Sequence, residues 1–165
     1  VADAASMISE VILQYDNSDP TDADNAPLRV KYLNFLQDVY DYVYDFREWG
    51  FTYKEGTVTI TAGNNSGAMP TDYMDFGSHG SLFDTAGRRR MTQISKYVCE
   101  RMRFEAVSAR TDLYAIYDEK IQLPFKVTAN TTYTAFYRKV SEQLTDDATV
   151  LTIPDRYCRK VVLKG

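Results

Sequence analysis

Histidine is almost missing from this chain, and cysteine is scarce. A single histidine, His79, among 165 residues excludes imidazole-rich metal sites and any relay of two histidines. The two cysteines, Cys99 and Cys158, stand far apart with no Cys-x-x-Cys or Cys/His spacing, so the pattern points to two buried thiols rather than a disulfide framework or a zinc site. Basic charge is not in excess either. With 19 Lys and Arg against 23 Asp and Glu, the formal charge is -4, which argues against a general polyanion binder but leaves room for a channel around DNA. No apolar run approaches the roughly 20 residues of a membrane span, and the N-terminus lacks a basic segment followed by an apolar stretch. A soluble, untargeted protein is expected, trimmed or processed because it opens on Val1. Repeats and low-complexity tracts are absent as well.

What the chain does have is tyrosine, 13 of them. Tyrosine suits surfaces that are apolar at one end and wet at the other, which hints at protein interfaces. The length fits one domain, large enough to bury roughly 70% of the surface exposed by the unfolded chain. The strongest single pattern is a long helix opening near Pro27 and running into Arg47-Glu48-Trp49-Gly50-Phe51. Leu28, Tyr32, Phe35/Leu36, Val39, Val43 and Phe46 recur at steps of three and four, placing them on one predicted core face. Asp24 and Asn25 can cap the start, Pro27 fits the first turn, and Gly50 marks the end. Asp38, Asp41, Asp45 and Glu48 fall opposite the core, with Tyr40, Tyr42 and Tyr44 on the flanks. Such a helix expects neighbours on three sides.

Around it, Met7, Ile8, Val11, Ile12 and Tyr15 predict a short first helix ending before Asn17. After Trp49 the period switches to alternation, and Phe51 to Ile60 reads as a β-hairpin turning at Glu55-Gly56. Residues 63–67 read as a loop, residues 68–73 as an extended stretch broken at Pro70, and Arg88 to Ile94 as a strand. Ser95 can cap a helix carrying Tyr97, Val98, Met102 and Phe104. Leu113 to Tyr117 and Lys120 to Pro124 are short strands around Asp118-Glu119, and Thr132 to Val140 is a longer strand with Tyr133, Ala135 and Tyr137 on one face. An acidic turn at Asp146-Asp147 follows. A last helix begins near Tyr157 and stops unfinished at Gly165, so the gene product is expected to continue.

No catalytic, cofactor-binding or metal-binding residue is assigned. His79 beside Ser78 or Ser81 would need a nucleophile elbow and an oriented second base, and neither is present in the sequence. Asp38, Asp41, Asp45 and Glu48 lie in a line along one helix rather than around a point, which does not suit a cation. A solvated face or a negatively charged channel lining are the two readings of that stripe. Arg88-Arg89-Arg90 is a candidate inter-subunit or phosphate contact, although so short a cluster in an acidic chain more often pairs with carboxylates. The loop from Gly63 to Gly67 lacks the lysine and helix of a phosphate loop.

The succession of a helix and then Arg47-Glu48-Trp49-Gly50-Phe51-Thr52-Tyr53-Lys54-Glu55-Gly56-Thr57-Val58 resembles the helix-to-hairpin junction of tailed-bacteriophage head-to-tail adaptors, the tail tubular or gatekeeper proteins of short-tailed phages. Leu113-Tyr114-Ala115-Ile116-Tyr117, Ile121-Gln122-Leu123-Pro124, the strand from Tyr133 to Val140, and Leu144 through Ile153-Pro154-Asp155-Arg156-Tyr157 are similar too. Members carry a helical C-terminal segment, where this chain stops. The resemblance implies an α+β fold, a helical bundle with a separate antiparallel β module. Within one domain, residues 1–50, 95–108 and 155–165 would be the helical part and residues 51–94 and 112–153 the β-rich part. It further implies a virion protein of the neck, assembled in the host cytoplasm without membrane contact. The expected assembly is a ring, commonly a dodecamer, between the portal protein and the tail nozzle protein, with genomic DNA passing through. Trp49, Phe51 and Tyr53 would form the junction of the two parts, and Asp38, Asp41, Asp45 and Glu48 would be channel-facing. The rival expectation from another class is a β-rich binding module recognising glycan or a host surface through tyrosines.

Overall fold

The computed structural model describes residues 4–11, 26–105, 110–145 and 151–153. The expected caps Asp24 and Asn25, the acidic turn at Asp146-Asp147 and the last helix near Tyr157 lie outside these residues. Two compact units divide the chain, one of Val1–Thr52 with Ser141–Gly165, the other of Tyr53–Val140.

Among its described residues the first unit is built on two α-helices, α1 (Ala4–Val11) and α2 (Ala26–Phe46). Its core gathers Ala4, Met7 and Ile8 from α1, Leu36, Tyr40, Val43 and Tyr44 from α2, and Leu144, Leu151 and Ile153 from the returning chain. That returning chain is fastened to α2 by side chains: the Leu144 amide donates to Gln37 Oε1 at 2.7 Å, and the Thr152 amide to the Tyr40 hydroxyl at 3.0 Å. Residues 141–145 and 151–153, in neither helix nor strand, thus lie against α2 where a bundle would have placed another helix.

Among its described residues the second unit holds nine strands in two sheets. Strands β1 (Tyr53–Ile60), β9 (Thr131–Lys139), β4 (Ser81–Asp84) and β5 (Arg89–Arg90) follow one another across the first sheet, with β3 (Tyr73–Asp75) also pairing β9. Strands β2 (Ser66–Ala68), β8 (Lys120–Gln122), β7 (Leu113–Tyr117) and β6 (Thr92–Gln93) make the second. Helix α3 (Lys96–Phe104) starts at Ser95, whose side chain accepts from the Val98 amide. It packs on the second sheet through the fully buried Cys99, and Arg103 Nε donates to the Leu123 carbonyl at 2.8 Å. Val58, Ile60, Leu82, Tyr114, Ile121, Leu123, Tyr133, Ala135 and Tyr137 fill the core of this unit.

The architecture corrects the expected helical bundle with a separate antiparallel β module. Two sheets dominate, the three described helices number 8, 21 and 9 residues, and the fold is mixed α+β. Helix α3 belongs to the second unit. The β pairing is not purely antiparallel, because β6 runs parallel to β7.

The hairpin at Glu55-Gly56 is corrected as well. Strand β1 runs straight through both residues and pairs along its whole length with β9, from Tyr53 opposite Arg138 to Ile60 opposite Thr131. Gly56 is needed for a close approach rather than a turn: a Cβ there would sit 2.8 Å from the Tyr137 ring and 3.1 Å from Pro70. The single strand expected over Arg88 to Ile94 is two, because the buried Met91, its amide donating to the Leu82 carbonyl at 2.8 Å, divides β5 in one sheet from β6 in the other. By contrast, β7 and β8 flank Asp118 and Glu119 as expected, both at the positive φ (54° and 55°) of a tight hairpin turn.

Candidate functional site

Helix α2 carries two apolar stripes, and its own unit covers one of them. At about 100° per residue, Leu36, Tyr40, Val43 and Tyr44 form the buried stripe, with the Tyr40 and Tyr44 rings 5.1 Å apart. Tyr40 and Tyr44, expected on the flanks, are core residues. Phe35, Tyr42 and Phe46 form the second stripe and remain 45%, 61% and 65% exposed, so the expected core position of Phe46 is corrected, and of the pair Phe35/Leu36 it is Leu36 that is core. Tyr42 and Phe46 lie ring to ring at 5.7 Å. Their partial self-association leaves most of both rings open to water.

The four acidic residues do not share one environment. Asp38 and Asp45 are exposed on α2, and Glu48 is exposed beyond the helix end at Phe46. Asp41 is half-buried, accepting from Gln37 Nε2 at 2.7 Å and from the Ser141 hydroxyl. Gln37 and Asp41 together hold the returning chain. Asp41 is therefore part of that fastening.

Where α2 ends, Trp49 turns back: its indole N–H donates to the Val43 carbonyl at 2.9 Å, its ring stacks on Phe51 at 5.8 Å, and Arg47 lies over it at 4.0 Å. Phe51 meets Tyr44 edge-on at 5.9 Å. The Thr52 side chain, fully buried, donates to the Trp49 carbonyl at 2.7 Å and closes the turn Gly50–Thr52. Both aromatics are half-buried against the first unit's core. Tyr53 opens β1 in the second unit, where it stacks on Phe136 at 5.3 Å and accepts from the His79 amide at 3.3 Å.

Arg88 occupies the left-handed region with φ 50° in the turn before β5, and Arg89 and Arg90 form β5 itself at a sheet edge. All three are exposed. A cleft of about 500 Å³ is lined by Phe76, Gly77, Ser78, Ser81, Arg90 and Tyr114 among others, without His79 and without a carboxylate. His79 itself is exposed beside the Tyr53 ring. Among the described residues no group of His, Cys, Asp and Glu is placed to hold a metal ion, and no helix is long and apolar enough to cross a membrane.

Exposed aromatic residues on helix faces, such as Tyr42 and Phe46 on α2, are suited to contact with another surface. In sequence, the family model described as SU10 adaptor protein matches residues 2–163. The chain belongs to the SU10 adaptor protein family. As an SU10 adaptor protein it is a bacteriophage head-to-tail adaptor, a structural component of the virion. No curated protein matches it in sequence.

Two surfaces of this SU10 adaptor were not among the residues expected from its sequence. One is the second stripe of α2, which shares the helical period of the first. The other is on α3, where Tyr97 and Phe104 are 73% and 91% exposed with Arg101 between them. The spacing of 97, 101 and 104 was a usable signal, since steps of four and three put the three on one face. The opposite face of α3 is committed: Arg103 donates to Gln122 Oε1 at 2.9 Å and to the Tyr117 hydroxyl at 2.8 Å, while Tyr117 donates to Glu100.

Proposed function

We propose that this SU10 adaptor protein forms a closed ring, commonly of twelve copies, in the virion neck between the portal and the tail nozzle, with genomic DNA passing through its centre, as in short-tailed phages. The observation that carries this reading is the second apolar stripe of α2, whose Phe35, Tyr42 and Phe46 are left open by the chain's own fold. Apolar surface on this scale favours removal from water, and a subunit in a ring meets a neighbour on each flank. Charge supports the DNA path, because Asp38, Asp45 and Glu48 are exposed and a lining of negative charge would not grip phosphate. Trp49 and Phe51 hold the chain as it leaves α2, and in this reading that turn, continued by Tyr53, is the junction of the two units.

The test is the mass of the purified chain, alone and after mixing with portal rings, together with images of the portal-bound product. A closed ring of fixed copy number on the portal is expected, even where the isolated chain is a monomer. Isologous dimers, or no association with the portal, would overturn the reading.

A further inference from the structure

The exposed stripe of α2 needs an occupant, and the chain carries a surface that matches it. Phe35, Val39, Tyr42 and Phe46 follow steps of four, three and four, the seam spacing by which one helix packs along another. They fall within roughly 60° of the helix circumference, about 115° around from the buried stripe. Asp38 and Asp45 border this seam on the side away from the core, and Lys31 stands on the same side nearer the helix start. A partner should therefore be a short helix with aromatic side chains at matching steps and positive charge between them.

Helix α3 has that description. Tyr97, Arg101 and Phe104 take steps of four and three on its outward face, opposite the buried Cys99. Phe104 is 91% exposed and shares this face with Tyr97, which is 73% exposed. Arg101 makes only a loose contact with Glu105, at 3.9 Å between half-exposed side chains, and such a contact contributes little. We propose that in the assembled ring the Phe35–Val39–Tyr42–Phe46 seam of α2 in one copy receives the Tyr97–Arg101–Phe104 face of α3 from the adjacent copy, with Arg101 reaching Asp38 or Asp45. This rests on the ring reading given above.

Two considerations select α3 over a second α2. An isologous α2 pair centred on the seam brings Asp38 and Asp45 towards their own copies, and like charges at that range repel. A contact between two different faces, moreover, is heterologous, the kind that closes into rings. The contact is also small. A helix of nine residues is about 14 Å long and covers less than the roughly 800 Å² per partner of a stable pairwise interface, so closure on the portal must add to it.

The experiment uses full-length chains in a Cys158→Ser background, one carrying Tyr42→Cys and the other Tyr97→Cys, mixed and assembled on portal rings under mild oxidation. Cross-linked dimers are expected in the mixture and not in either chain alone. In parallel, Arg101→Asp should lower self-association about fivefold, and Asp38→Arg with Asp45→Arg should recover most of it. Cross-linking by the Tyr42→Cys chain alone would identify a second α2 as the occupant and overturn the proposal. A closed ring that neither cross-links nor responds to Arg101→Asp overturns this pairing and leaves the ring reading standing. Particles with no ring overturn both.

Discussion

Asp72 shows how much one side chain can organise in the second unit. Its carboxylate accepts from the Tyr137 hydroxyl at 2.5 Å and from Lys54 Nζ at 2.8 Å, linking the loop before β3 to β9 and β1. Burial works to raise its pKa, but the hydrogen bonds from Lys54 and Tyr137 outweigh it and hold the group below its ordinary 3.8. The sign follows from linkage: a carboxylate depressed in the folded state adds stability that is present above its unfolded pKa and lost as pH falls through the folded one. The gap in urea midpoint between the native chain and Asp72→Asn should therefore be widest above about pH 4 and narrow below it. A gap independent of pH would contradict the ion pair. Trp49 is the second residue to test. Half-buried and bonded to the Val43 carbonyl, it should cost about 2 to 3 kcal/mol when replaced by alanine, less than the roughly 3 to 5 of a fully buried large aromatic. Circular dichroism must report the unfolding, since Trp49 is the only tryptophan. An unchanged midpoint would mean that the ring packs on nothing of consequence.

Among the elements, α3 is the clearest case of a helix specified locally and positioned remotely. Ser95 accepts from the Val98 amide at 3.3 Å, satisfying one of the first-turn donors that no helix can satisfy for itself. Ser95→Ala should cost about 1 kcal/mol and speed amide exchange in α3 while leaving β9 protected, whereas Ser95→Asp should retain the cap. Equal loss of protection in α3 and β9 would show instead that the helix and the first sheet open together. Strand β9 is the central element of its unit, since it pairs with β1, β3 and β4. Its legibility came from alternation: Tyr133, Ala135 and Tyr137 are buried as the period of two requires. The partner of β9 was not legible in the same way. Eight residues of β1 match β9 across seventy residues of intervening chain, and no local pattern encodes that distance.

For the whole molecule, the charged residues of α2 carry the consequence for DNA. If Asp38, Asp45 and Glu48 line the lumen of the proposed ring, their repulsion of phosphate acts over about 10 Å at 0.1 M salt. Replacing the three with Asn, Asn and Gln should leave folding nearly unchanged, as exposed charges contribute little, and should slow genome ejection at low salt more than at high salt. Adding Asp41→Asn should lower stability further, because Asp41 accepts from Gln37 and Ser141. Ejection rates from phage carrying the native and substituted chains decide the matter. Equal rates at both salt concentrations would place the charges away from the lumen, in outer solvent or at the seam between copies.

The sequence by itself determined the features that depend on neighbours a few residues away. Asp118 and Glu119 turn between β7 and β8, Ser95 caps α3, and α2 forms from a helical period, because each is settled by backbone sterics or by a side chain reaching its own turn. Only the tertiary structure decided which stripe of α2 is core. Both stripes repeat every three or four residues, so periodicity cannot choose between Tyr40 with Tyr44 and Phe35 with Phe46. The choice was made by Leu144, Leu151 and Ile153, about a hundred residues along the chain, which close over one stripe and leave the other to water. Gly56 teaches the same point: a glycine after glutamate looks like a turn, but the ring of Tyr137 needs the space a side chain would have taken.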